Sequence, residues 1–315
     1  MDIVILEKDT LTVGDMDFSA FEKIGKVHYY DTLSGTELYK AVENAEIVLI
    51  NKTQFSKELF SKCKKLRYIG IFATGYNNVD LDEAKKRGVT VCNAPSYSTS
   101  SVAQLTFSFI LELSSNLSKY DRSTKDGNWI KSETFSYFPF PFVELKEKTL
   151  GIFGMGEIGE AVANIGLAFG MKVLATTRTK KFVQGVTFVD REQLFKESDF
   201  LTIHCPLTKQ TEKLVNQTTL ALMKPTAFLI NTSRGGVIDE YALSSALKNK
   251  TIKGAALDVL TKEPMDKNCP LWGLDNCIIT PHIAWTTVEA RTRLLDIVAK
   301  NLQNYLDGKP QNTVV

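Results

Sequence analysis

Apolar residues along this chain gather in short β-rich runs, and the stretches between them repeat with a helical period and end in turn residues. In the first third these runs predict strands over 2–6, 26–30, 46–50, 67–72 and 90–92, with helices over 18–24, 36–44, 56–63 and 80–87 between them. Ser56 and Asp80 stand where helix N-caps belong, and Gly88 where the last of these helices stops. A polar, turn-rich stretch over 93–101 reads as a linker, and one long apolar helix over 102–117 follows it. A second set of strands is expected over 149–153, 172–176, 200–205, 228–232, 254–259 and 277–280, with helices over 157–169, 190–197 and 240–249. The last helix, over 288–306, is long enough to pack away from that sheet, so the chain is expected to cross between domains twice. Alternating β and α at this spacing means parallel sheets with helices on their faces.

At 315 residues two domains are expected, because single cores usually stop growing beyond about 250–300 residues. An apolar content of 43% and a charged content of 23% are those of a soluble globular chain, and a net charge of +2 gives no case for nucleic acid. Five scattered cysteines without C-x-x-C pairs argue against a disulfide framework or a metal site, so no metal is expected. The first residues hold too short an apolar run for a signal peptide, and no stretch reaches the length of a membrane helix; the expected location is cytoplasmic. The segment 129–145 is unusually aromatic, with Phe135, Tyr137, Phe138, Phe140 and Phe142 around Pro139 and Pro141. So much apolar surface in a proline-broken segment predicts an arm that packs on a second copy, making a homodimer.

The sharpest motif is Gly154-Met-Gly156-Glu157-Ile158-Gly159, which follows one expected strand and opens a helix. In that context a G-x-G-x-x-G reads as a dinucleotide-binding turn: Gly154 for the bend, Gly156 for approach of a pyrophosphate, Gly159 for helix–strand packing. An NAD-binding unit usually carries an acidic residue at the end of the next strand. This chain has Thr177, Arg178, Thr179, Lys180 and Lys181 there, which suits a 2′-phosphate and favours NADPH over NADH. The fold class expected is therefore α/β with two Rossmann-like domains, each a doubly wound parallel sheet, and an interdomain cleft. A flavodoxin-like substrate domain would take 1–98 plus 286–315, and the dinucleotide-binding domain 99–285.

Three further strand ends carry chemistry. Arg234 lies between Asn231-Thr232-Ser233 and two glycines, placed to fork onto a carboxylate. Asp258 and Glu263 follow the next strand, and His282 follows Pro281 at the end of the last one. His28 and His204 read as structural, because both fall within strand patterns.

Taken together, the glycine turn, Asn231-Thr-Ser-Arg234-Gly-Gly, Asp258-x4-Glu263-Pro264 and Pro281-His282-Ile-Ala284 resemble the D-isomer-specific 2-hydroxyacid dehydrogenase family over nearly the whole chain. The stretches 97–104 and 281–285 look most like its glycerate dehydrogenase, or hydroxypyruvate reductase, branch. The resemblance implies reduction of a small 2-oxo acid, hydroxypyruvate or glyoxylate first, in a site between the two domains whose closure excludes water. Arg234 would bind the substrate carboxylate and polarise the keto group, His282 would donate the proton, and Glu263 would be its partner. Thr74 and Gly75, in the loop 73–77, would hold the substrate carboxylate through backbone amides. Cys205, Pro206, Thr232, Ser233 and Asp258 would line the nicotinamide and ribose, and Thr106, Glu157, Ile158, Thr211, Arg234, His282 and Ala284 complete the implied cofactor contacts. Two positions depart from the family pattern: Thr177 replaces the usual acidic residue, and Leu105 stands where a histidine is common. A dinucleotide-sensing corepressor is the rival of another class. Glu263 speaks against formate dehydrogenase, and phosphoglycerate dehydrogenases with a regulatory C-terminal domain need a longer chain.

Overall fold

The computed structural model describes residues 1–179 and 181–315; Lys180, part of the basic stretch expected at the cofactor, lies outside the described residues. The chain divides into two compact units, Met1–Ser98 with Thr286–Val315, and Thr99–Trp285.

The first unit carries β1 (Asp2–Ile5), β2 (Lys26–Tyr29), β3 (Ile47–Ile50), β4 (Tyr68–Ile71) and β5 (Thr90–Cys92), all parallel in the order β2-β1-β3-β4-β5. Every residue of β3 and β4 is buried, which is why these strands read as unbroken apolar runs rather than alternating ones. The helix Val288–Leu306 packs against β4 within this unit, its Tyr305 ring 4.7 Å from that of Tyr68. The second unit carries β6 (Thr149–Phe153), β7 (Lys172–Thr176), β8 (Val186–Phe188), β9 (Phe200–Ile203), β10 (Phe228–Asn231), β11 (Gly254–Leu257) and β12 (Cys277–Ile279). They too are parallel, in the order β12-β11-β10-β9-β6-β7-β8. Both sheets are thus of the doubly wound kind. The strand order reverses between β1 and β3 in the first unit and between β6 and β9 in the second, the crevices where such sheets bind ligands.

Local signals fix several boundaries. The side chains of Ser56 and Asp80 accept from the amides of Leu59 and Glu83 in the first turns of their helices. Gly88 ends the second of these helices at φ 65°, a conformation glycine adopts without cost.

Elsewhere the structure corrects the sequence reading. The helix expected from Val102 begins at Thr99, so Thr99, Ser100 and Ser101 belong to it rather than to a linker. The first turn's amides have no intrahelical partner in any case, so hydroxyl residues are tolerated there. That helix stops at Ser115, where Asn116 turns left-handed (φ 53°), and a second, polar helix Leu117–Lys125 follows. The short strand β8 and the helix Gln217–Leu220 were not anticipated; both are brief, and β8 sits at the sheet's edge with a polar middle residue. His204 lies one residue beyond β9, not inside a strand. His28, on edge strand β2, sits 3.2 Å from Asp2.

The aromatic segment does not fold wholly over its own core. Phe140 meets Tyr120 edge-on at 5.2 Å and Asn116 donates to the Pro141 carbonyl, but Phe135, Phe138 and Phe142 are 91%, 80% and 75% exposed. Among the described residues, no helix is long and apolar enough to cross a membrane.

Candidate active site

The glycine turn lies at the β6/β9 reversal, and each glycine has a separate reason to be there. Gly154 has φ 101°, and a Cβ on it would lie 2.7 Å from the His204 carbonyl oxygen and 2.9 Å from the Cys205 nitrogen. The two strand ends therefore touch through a position that only glycine can occupy. A Cβ on Gly159 would lie 2.2 Å from the Gly154 oxygen, so the helix Glu157–Ala168 packs directly on the turn. Among the described residues, nothing lies within 4 Å of where a Cβ on Gly156, the N-cap of that helix, would be, and no side chain caps the first amides. Open space over uncapped amides at the positive end of a helix dipole is what a pyrophosphate requires. The residues present fit a dinucleotide.

Beyond β7, Thr177 is half-buried while Arg178 and Thr179 are exposed. Arg178 has no ion pair among the described residues. Lys181, by contrast, is held 2.6 Å from Glu160 on the glycine-turn helix, so it is not a free cation of this stretch. Glu157 accepts from the Thr99 hydroxyl at 3.3 Å, and Ile158 is half-buried beside it.

After β9, the amide of His204 donates to the Phe153 carbonyl, and the ring Nε2 is buried without a partner among the described residues. Burial pushes this imidazole down to about 4, so it is neutral near pH 7 and stores no proton for donation. Burial likewise pushes the Cys205 thiol up to about 11. The Thr211 hydroxyl donates to the Pro206 carbonyl (2.6 Å) and accepts from the Thr208 amide (2.8 Å); in this structure it pins the turn after β9.

At the end of β10, the fully buried Asn231 builds the turn that presents Arg234. Its Oδ1 accepts from the Ser233 amide and hydroxyl (2.9 and 2.8 Å), and its Nδ2 donates to the Arg234 carbonyl (2.9 Å). A Cβ on Gly235 would lie 1.9 Å from the Leu260 carbonyl carbon, so the turns after β10 and β11 are in contact. Arg234 itself is exposed; its guanidinium donates to the Ser233 carbonyl and has no acidic partner among the described residues. It is a cation awaiting an anion. Thr232 meets Thr106 hydroxyl to hydroxyl at 3.1 Å.

Asp258, just past β11 and 1% exposed, gathers the segment after β12 around itself. Its carboxylate accepts from the Thr280 hydroxyl (2.5 Å) and the amides of Ile283 and Ala284 (2.8 Å each), while its carbonyl accepts from the His282 amide (2.9 Å). Burial raises its pKa even though these donors pull the other way. Ala284 is buried, and its carbonyl accepts from the Ser101 hydroxyl at 2.5 Å. His282 is thereby fixed in the left-handed region, at φ 56°. Its Nδ1 lies 2.7 Å from Glu263 Oε2, and Glu263 Oε1 accepts from the Leu260 amide at 2.9 Å. A carboxylate can only accept, so Nδ1 carries the proton of this bond and Nε2 is the edge left to meet another molecule. The structure thus brings His282, Glu263 and Asp258 into one bonded group, with Arg234 on the adjoining turn. Asn231 and Ser101 were missed from the sequence; an asparagine closing an apolar strand just before an arginine was the available signal for the first.

Thr74 and Gly75 belong to the first unit. There the Thr74 hydroxyl donates to the Ala94 carbonyl (2.9 Å), and the Asn93 side chain donates to the Thr74 carbonyl (2.8 Å).

Comparison with known proteins gives the same picture. Residues 107–284 match the model of the D-isomer specific 2-hydroxyacid dehydrogenase, NAD binding domain. A hydroxypyruvate reductase of Blautia hydrogenotrophica is 38% identical over 320 aligned residues, covering 100% of this chain and 99% of that one. The structure of an acyclic imino acid reductase in complex with NADPH and D-Arg superposes with a TM-score of 0.87 at 32% identity, covering 100% of both chains. That of D-lactate dehydrogenase from Aquifex aeolicus, complexed with NAD and lactic acid, does so with a TM-score of 0.85 at 32% identity, covering 98% of this chain and 96% of that one. This chain belongs to the D-isomer-specific 2-hydroxyacid dehydrogenase family and takes a nicotinamide dinucleotide.

Proposed function

We propose that this enzyme reduces a small 2-oxo acid, hydroxypyruvate or glyoxylate first, to the D-2-hydroxy acid (D-glycerate or glycolate), with the reverse oxidation on the same residues. The observation that carries this reading is the His282–Glu263 pair at 2.7 Å, on a segment clamped by Asp258, next to an arginine without an acidic partner among the described residues. Arg234 forks onto the substrate carboxylate and polarises the keto oxygen. A reduced dinucleotide held at the Gly154–Gly159 turn would supply the hydride for C2. His282 Nε2 gives its proton to the oxygen, and Glu263 holds the ring and stabilises the charged imidazolium before transfer. Thr74 and Gly75 are the carboxylate-binding residues of the first unit.

For the cofactor, the absence of any carboxylate over 175–181, with Arg178 exposed beyond β7, supports NADPH over NADH. Steady-state oxidation of both cofactors with hydroxypyruvate, glyoxylate and pyruvate tests the reading. NADPH with hydroxypyruvate or glyoxylate is expected to give the highest kcat/KM. Lack of turnover with every 2-oxo acid would overturn the enzyme reading, and a strong NADH preference would overturn the argument from Thr177 and Arg178.

The exposed Phe135, Phe138 and Phe142 support a homodimer in which this segment covers a second copy. Sedimentation should show a dimer, and Phe135→Ser with Phe138→Ser should shift it towards monomer. A wild-type monomer at micromolar concentration would rule that contact out. Five free cysteines, three of them with thiols that burial pushes up to about 11 or 12, suit the reducing cytoplasm.

A further inference from the structure

The first unit holds a buried carboxylate that the chemistry above does not use. Glu7 stands two residues beyond the end of β1, is 4% exposed, and has φ 62°, a conformation few non-glycine residues adopt. Its carboxylate accepts from three successive backbone amides in the turn after β3: Asn51 at 2.9 Å, Lys52 at 2.9 and 3.1 Å, and Thr53 at 2.9 Å. Converging successive amides form an anion-binding concavity, and here the chain's own carboxylate fills it. The position is the β1/β3 reversal, where a sheet of this kind places its ligand contacts.

That turn is bonded in its own right to the loop bearing Thr74 and Gly75. The Asn78 side chain donates to the carbonyls of Asn51 (3.3 Å) and Thr53 (3.0 Å). The Phe55 amide donates to the Asn78 carbonyl (2.7 Å), and the Asp80 amide returns to the Phe55 carbonyl (3.0 Å). Asn93 and Ala94 fasten the other end of the loop. Glu7 is thus the fixed point of a lattice that ends on residues 74–78.

We propose that Glu7 is a positioning residue for substrate binding, acting through the Asn51–Thr53 amides and Asn78 on the loop of Thr74 and Gly75. The inference rests on the reading above that this loop holds the substrate carboxylate. If the concavity loses its anion, the amides of the turn turn to water, Asn78 follows the carbonyls it binds, and the loop of Thr74 and Gly75 loses its placement. Binding is then weakened equally in the ground state and the transition state, which appears in KM and not in kcat.

Glu7→Gln keeps the length of the side chain but presents an NH2 group to donors. It is expected to raise KM for the preferred 2-oxo acid about tenfold, the scale of one lost charge-assisted hydrogen bond. It should leave kcat and the dissociation constant of NADPH unchanged. Glu7→Gly suits the backbone conformation and empties the concavity, so added formate or acetate should refill it and bring KM back towards the wild-type value. A wild-type KM in Glu7→Gln, a KM in Glu7→Gly that ignores both anions, or a joint fall in kcat and NADPH binding would each overturn the proposal. Should the Glu7 variants fail to fold, Asn78→Ala keeps the carboxylate and cuts its link to the loop; the same rise in KM is expected, and an unchanged KM overturns it. The wild-type chain assayed alongside separates the two ideas: no turnover there defeats the proposed function, whereas normal turnover with unchanged variants defeats the role of Glu7.

Discussion

Replacing His282 with alanine is expected to lower kcat by about 10²- to 10⁴-fold, the usual contribution of a positioned general acid, with little change in KM or in NADPH binding. The effect should be that large because the neighbouring imidazole cannot substitute. His204, the other imidazole of this sheet edge, is driven down to about 4 by burial and is neutral at working pH. Alanine alone would confound proton loss with strain, since position 282 has φ 56°. His282→Asn resolves this, because asparagine tolerates the left-handed region yet cannot donate an acidic proton. Both variants should therefore show the same loss of kcat. A kcat in His282→Asn close to wild type would mean that the proton comes from elsewhere.

Arg234→Ala is expected to raise KM for the 2-oxo acid by about 10²-fold or more, because truncating one partner of a hydrogen-bonded charge pair typically costs about 2–5 kcal/mol. Among the described residues the Arg234 guanidinium bonds only the Ser233 carbonyl, and it is exposed, so its removal orphans no buried charge and the melting temperature should hardly move. Arg234→Lys should recover only part of the loss: a point charge lacks the planar fork that matches a carboxylate at two points. Steady-state kinetics of the two variants beside a thermal melt make the test. Full recovery by lysine would show that charge alone suffices, and an unchanged KM in Arg234→Ala would remove Arg234 from the substrate.

Much of the fold could be read from the sequence because its signals are local. Runs such as Phe200–Ile203 are buried on both faces, so the chain must be apolar without a break, and the caps at Ser56, Asp80 and Gly88 act within one turn of their own positions. The helix Val288–Leu306 was legible to the residue from its periodicity. What escaped was short or cooperative. β8 is three residues long, and Asn116 breaks an apolar run by a left-handed turn that composition does not announce.

At the site, residue types were legible but their bonds were not. Asp258 could be singled out as a carboxylate at a strand end, but not that it holds Thr280, Ile283 and Ala284, 22 to 26 positions further on. Glu7 gave no signal at all, since its partners lie 44 to 46 positions away and are backbone amides, which every sequence has.

The central claim is hydride delivery to C2 of a 2-oxo acid with proton donation by His282. NADPH carrying deuterium at both C4 positions, mixed with the enzyme and hydroxypyruvate, tests it most directly when the product is analysed for isotope and chirality. The account predicts one deuterium at C2 of D-glycerate. Unlabelled glycerate, the L isomer, or cofactor binding without product would contradict it.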